Sequence, residues 1–109
     1  MSTPPLPKRI KIGHLDYIVA RLTSEHADDA NITGRCWRDV RRRIEIDERL
    51  EGPALAETLL HEILHAAWDG WELRDDDKEE RTVAAFANAL TTILRDNPRL
   101  LQTLLTLLR

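Results

Sequence analysis

Between Pro53 and Trp68 the only polar side chains are Glu57, Thr58, His61, Glu62 and His65. That spacing of i, i+1, i+4, i+5 and i+8 draws a single stripe along an α-helix. Behind Pro53, every other residue of the segment is Ala, Leu, Ile or Trp. A helix apolar on all its other sides belongs inside a fold. Titratable groups on such a helix must find partners or a cleft, because an unsatisfied buried polar group is costly. This segment therefore demands a domain that wraps one helix and leaves its polar stripe facing an opening. Gly52-Pro53 supplies the start, with Gly able to cap and Pro suited to the first helical position. The predicted helix runs from Pro53 to Trp68 and ends near Asp69-Gly70.

The stripe contains His61-Glu62-Ile63-Leu64-His65, the pattern H-E-x-x-H. Two histidines four apart lie one above the other on a helix, so both imidazoles can reach one metal ion. The neighbouring Glu62 points to the same side but beyond ligand reach, where it can take a proton from a water polarised by the metal. A buried histidine pair bonded to nearby backbone is the bland alternative. A catalytic zinc needs a third protein ligand and one open position. A third histidine six residues after His65 is excluded, because Trp71 stands there. A carboxylate on the next helix remains.

That helix is predicted from Asp77 to Arg95, opened by Asp75-Asp76-Asp77, whose charges suit a helix N-terminus. Its apolar stripe is Val83, Phe86, Ala87, Leu90, Ile93 and Leu94, and one turn back from Val83 lie both Glu79 and Glu80. Periodicity leaves the two open. Asn97-Pro98 ends this helix and starts a third, Pro98 to Leu108, rich in leucine.

The rest reads as strands and turns. Pro4, Pro5 and Pro7 make residues 1–7 a loose leader, with residues 8–109 as one domain. Ile10 and Ile12 alternate with Arg9 and Lys11, and Gly13-His14 turns the chain into a second strand, Tyr17 to Leu22. Residues 23–34 read as a loop with room for a short helix. Residues 39–47 read as the clearest strand, with Val40, Arg42, Ile44 and Ile46 on one face.

The segment Thr58 to His65, followed by Glu80-x-x-Val83-x-x-Phe86-Ala87-x-x-Leu90, resembles small phage and prophage zinc metallopeptidase-like proteins and the gluzincin-type domain of the ImmA/IrrE peptidases. The likeness covers about residues 39–97. It implies Glu80 as third ligand, with Glu79 the alternative, and Zn²⁺ held by His61, His65 and that carboxylate. Val83 stands where Ala is usual, and Thr91 replaces a Leu. A Glu-x-x-x-Asp arrangement of larger gluzincins is missing, since Ala84 lies four residues after Glu80 and Val83 four after Glu79. The implied fold is α+β and zincin-like: a small, mainly antiparallel sheet of about three strands, the H-E-x-x-H helix, a ligand-bearing helix and a Leu-rich C-terminal helix. An edge strand beside the cleft would pair with an extended substrate peptide, and residues 39–47 suit that place. The implied activity is peptide hydrolysis by a zinc-activated water, with Glu62 as the base. The competing expectation is a non-catalytic zinc-binding regulatory or docking module, because 109 residues leave little chain for a substrate-binding subdomain.

Composition sets the outer bounds. A chain of 109 residues with 42% apolar and 32% charged residues is expected to be globular rather than disordered. The net charge is −3, which argues against a general polyanion surface. The run Arg41-Arg42-Arg43 reads as a solvated strand face, since no aromatic interleaves it, and nucleic acid is not expected as a partner. Thirteen of the sixteen bases are arginine, a bias that fits a GC-rich bacterial or phage genome. Cys36 is the only cysteine, which excludes an intrachain disulfide and a Cys-rich zinc module. It reads as a small buried side chain. No secretory signal or membrane span is read, so the expected location is the cytoplasm, that of the host if the chain is phage-encoded. His14 and His26 read as surface residues. Either of them, or Tyr17, is a candidate for stabilising an oxyanion. Asp69 reads as a helix-end carboxylate that could instead orient a ligand histidine. Trp68 and Trp71 read as packing residues or an aromatic rim. The Leu-rich helix 98–108 offers a homodimer or partner contact, alongside packing on its own domain.

Overall fold

The computed structural model describes residues 6–74 and 79–109, without the side chains of Glu79, Glu80, Val83 and Ala84. Residues 1–5 of the expected leader, and the expected helix start at Asp75 to Asp77, lie outside the described residues. The elements run β1 (Arg9–Ile12), β2 (Leu15–Leu22), α1 (Ser24–Ala30), β3 (Gly34–Trp37), β4 (Arg43–Asp47), α2 (Gly52–Gly70), α3 (Glu79–Asp96) and α4 (Pro98–Leu108). The fold is α+β.

β1 and β2 form the expected hairpin, with Ile12 opposite Leu15. Gly13 at φ +66° takes the first place of the two-residue turn, the position where a II′ turn needs positive φ. Beyond it the sheet departs from expectation. It has four strands rather than three, in the order β1-β2-β4-β3, and it is mixed: β2 pairs with β4 in parallel. The cause is α1, read from sequence only as room for a short helix. Thr23 caps it, its Oγ1 accepting from the His26 N–H at 3.2 Å, and Asn31 closes it in the left-handed conformation. The helix carries the chain past β2, so the next hairpin returns with β4 beside β2 and β3 outermost.

The predicted strand 39–47 is therefore corrected twice. Its first residues form a turn: Asp39 Oδ1 accepts from the Arg41 N–H at 2.9 Å, and its carbonyl accepts from the Arg42 N–H at 3.1 Å. Asp side chains compete with strand pairing in this way, and Val40 ends 94% exposed. The remaining strand, β4, lies inside the sheet, and the edge expected of it belongs to β3.

One face of the sheet carries Ile10, Ile12, Tyr17, Ile44 and Ile46 against the helices. α2 supplies Leu55, Ala56, Leu59, Ile63, Ala66 and Ala67 to the same core. α3 buries Ala89 and Ile93 while Leu90 and Ala87 are exposed, so its inner stripe is turned from the predicted one. Asn97 fastens the α3–α4 corner to β1: its Oδ1 accepts from the Lys11 N–H at 3.0 Å and its Nδ2 donates to the Lys11 carbonyl at 2.9 Å. The leucines of α4 divide into a buried set, Leu100, Leu104 and Leu107, and an exposed set, Leu101, Leu105 and Leu108.

Candidate functional site

The polar stripe of α2 divides as it emerges from the core. His61 and His65 are exposed, and Glu62 between them is only 6% exposed. The two imidazoles converge: Nε2 of His61 lies 3.1 Å from Nε2 of His65, with the rings edge to face at 65°. Two nitrogens bound to one tetrahedral zinc at 2.0–2.1 Å stand about 3.3 Å apart. The pair is thus close to the spacing a shared metal ion requires. Among the described residues no group of three His, Cys, Asp or Glu side chains gathers around a common point. The side chains of Glu80 and Glu79, the two expected third ligands, lie outside the described residues. Their backbone forms the first turn of α3.

Glu62 has no hydrogen-bond partner among the described residues. Burial pushes its carboxyl above the ordinary range, with His61 and His65 pulling the other way. A carboxylate whose pKa is raised by burial is a better proton acceptor than a solvated one. Above it runs β3. A Cβ placed on Gly34 would lie 2.8 Å from Thr58 Cγ2 and 3.2 Å from Glu62 Oε2. Only glycine lets this strand come down so closely onto the helix.

β3 is also open. Asp47 N–H donates to the Thr33 carbonyl at 2.8 Å, and the register places Arg35 opposite Glu45 and Trp37 opposite Arg43. Hydrogen-bonded pairs alternate along an antiparallel ladder. The main-chain groups of Arg35 and Trp37 therefore face β4, and those of Gly34 and Cys36 face the free edge, above Glu62.

Two hollows flank the histidines. A cleft of about 600 Å³ is lined by Asp28, Asn31, Thr33, Gly34, Glu57 and Glu62, among others. A smaller, apolar pocket of about 210 Å³ is lined by His61, Leu64, His65, Trp68 and Phe86. Trp68 thus packs on Phe86 and also forms a wall of the site, whereas Trp71 bonds Asn88 through Nε1 at 2.7 Å.

The other candidates are placed as follows. His14 sits exposed in the β1–β2 turn, and His26 is exposed on α1, its Nδ1 3.0 Å from Thr23 Oγ1. Neither lines either hollow. Tyr17 is buried in the core, where desolvation first, then Cys36 and Asp69, raise its hydroxyl pKa. Asp69 pairs with Arg38 at 3.3 Å, and Arg38 also donates to the His65 carbonyl at 3.4 Å. Cys36 is half-buried beside the site, and desolvation, reinforced by Glu62, pushes its thiol up to about 12. A thiol so placed stays protonated near neutral pH, the opposite of an activated cysteine.

Sequence reasoning missed Gly34 and Arg38. Gly34 carries no local signal, because its role depends on which helix lies beneath it. Against protein-family models, curated proteins and solved structures alike, no match to this chain is found.

Proposed function

We propose that this chain is a zinc-dependent peptidase of zincin type, hydrolysing peptide bonds in an extended polypeptide. The observation that carries this reading is the convergence of His61 and His65 beside Glu62, a largely buried carboxylate with no hydrogen bond among the described residues, under the open edge of β3. The donor set fits zinc: two imidazole nitrogens at near-ligand spacing, with Glu80 as the proposed third ligand and Glu79 as the alternative. When bound, zinc lowers the pKa of water toward about 7 and offsets negative charge developing on a carbonyl oxygen. The chain's own residues do the rest. Gly34 and Cys36 bind the peptide main chain by strand addition. Glu62 accepts a proton from the attacking water and passes it to the departing amine. The apolar pocket of Leu64, Trp68 and Phe86 receives a side chain and excludes water next to the histidines. A phage or prophage origin and a cytoplasmic setting belong to the same proposal. No helix among the described residues is long and apolar enough to cross a membrane.

A second reading keeps the metal and drops the catalysis, making the chain a zinc-bearing docking module. The exposed leucines of α4 favour it. Metal analysis followed by a proteome-wide cleavage assay decides. The purified protein is expected to hold about one zinc per chain, with binding weakened at least about a hundredfold in His61→Ala. Zinc loss in Glu80→Gln but not in Glu79→Gln assigns the third ligand. Cleavage by the wild type and none by zinc-loaded Glu62→Gln is the expected result. A wild type without metal overturns both readings, and zinc without cleavage in either protein leaves the docking module.

A further inference from the structure

β3 presents a second surface at its open edge, on the side away from α2. There Arg35 and Trp37 alternate with the inward Gly34 and Cys36. The Trp37 ring lies 3.6 Å from the Arg41 guanidinium carbon and 4.9 Å from that of Arg35. Glu45, only 9% exposed, accepts from Arg35 Nε at 2.7 Å and Trp37 Nε1 at 2.6 Å, and pairs with Arg43 at 3.3 Å. Asp39 holds Arg41. Three guanidiniums thus share two carboxylates, and their remaining N–H groups stay open to solvent. Stacking and ion pairing have already ordered these side chains, so a further partner immobilises little. No aromatic interleaves the arginine run in the sequence; the turn after β3 brings Trp37 back against Arg41.

Side chains alternate on any strand added to this edge. A residue opposite Gly34 lies over Glu62, and the next one along stands beside Arg35 on the outer face. Opposite charges across adjacent strands attract, and like charges repel. We infer that the site selects extended peptides carrying Asp or Glu opposite Arg35, and again two residues further on, opposite Trp37 and its stacked Arg41. This deepens the peptidase reading and rests on it for the paired edge. An acidic peptide is favoured over nucleic acid because the open donors border a strand edge, where a main chain can pair, and the net excess is a single charge.

The test measures binding and cleavage separately. Labelled peptides of about ten residues, alternating Thr with Glu, Gln or Lys, are titrated by fluorescence anisotropy into zinc-loaded Glu62→Gln protein at low salt. Alternation lets every second register present all the charged side chains outward. The Glu peptide is expected to bind about fivefold tighter than the Gln peptide, and the Lys peptide weakest. In Arg35→Gln and in Arg41→Gln, the latter remote from the core, the preference for the Glu over the Gln peptide falls below about twofold. Equal affinities, a preference untouched by both variants, no binding of any peptide, or tighter binding of a ten-nucleotide oligo-dT each overturn the inference. If the wild type cleaves none of a broad peptide set while the Glu preference persists, the catalytic reading fails and the acidic recognition stands.

Discussion

At Gly34 a missing side chain is itself the functional feature. The strand rests on Thr58 and Glu62 with no room for a methyl group, so Gly34→Ala is expected to destabilise the protein by about 1–3 kcal/mol, the usual cost of overpacking. Thr58→Ser removes the methyl it strikes, and the double variant should recover part of that loss in a urea-denaturation cycle. Full additivity of the two changes would show that the contact is not the cause. Glu45 is the opposite kind of residue, defined by its partners. Burial opposes its charge, but hydrogen bonds from Arg35, Trp37 and Arg43 outweigh this and hold its carboxyl below the ordinary range. A carboxyl depressed in the folded state binds fewer protons than in the unfolded state, so it contributes stability above its unfolded pKa and loses it as pH falls through the folded one. Glu45→Gln should therefore cost about 1–2 kcal/mol at pH 7. The gap to wild type should close as the pH is lowered beneath about 4.3. A gap independent of pH would assign the effect to packing.

Among the elements, the H-E-x-x-H helix was the most legible, because sixteen residues of strict apolar periodicity and a Gly-Pro start leave a single interpretation. Its observed bounds, Gly52–Gly70, differ from the predicted 53–68 only at the ends. The strand at 39–47 shows how alternation misleads: Asp39 matched the outward face of a strand, yet its carboxylate accepts the Arg41 N–H, its carbonyl accepts the Arg42 N–H, and the pairing ends. β3 is four residues long, too short to show a period at all. The α3–α4 corner hangs on a side chain that reads from sequence only as a helix stop. Asn97 bonds both main-chain groups of Lys11 and also donates to the Ile93 carbonyl at 2.8 Å. Asn97→Ala is expected to lose about 2 kcal/mol of stability. Amide exchange should rise first at Lys11 and in α4. Exchange unchanged at Lys11 would place the anchor elsewhere.

Across the molecule, one sheet face is covered by α2 and α3, with α4 packed against them, and the other carries the arginines of the edge hairpin. α4 has leucines to spare. Leu104 lies in the core and Leu105 beside it is half exposed. Leu104→Ala should cost about 2–4 kcal/mol and Leu105→Gln no more than about 0.5 kcal/mol in the monomer. A large loss from Leu105→Gln that grows with protein concentration would reveal a self-association made through the outer stripe.

By itself, the sequence determined the three long helices, the β1–β2 hairpin and the positions of His61, Glu62 and His65, because these follow from periods, caps and spacings within a few turns of chain. Only the tertiary structure decided the strand order, which strand is the edge, that Glu62 is buried while its histidine neighbours are exposed, and that Gly34 lies upon it. Those depend on contacts between residues tens of positions apart, where a seven-residue helix was enough to redirect the chain, set β4 parallel to β2 and leave β3 outermost.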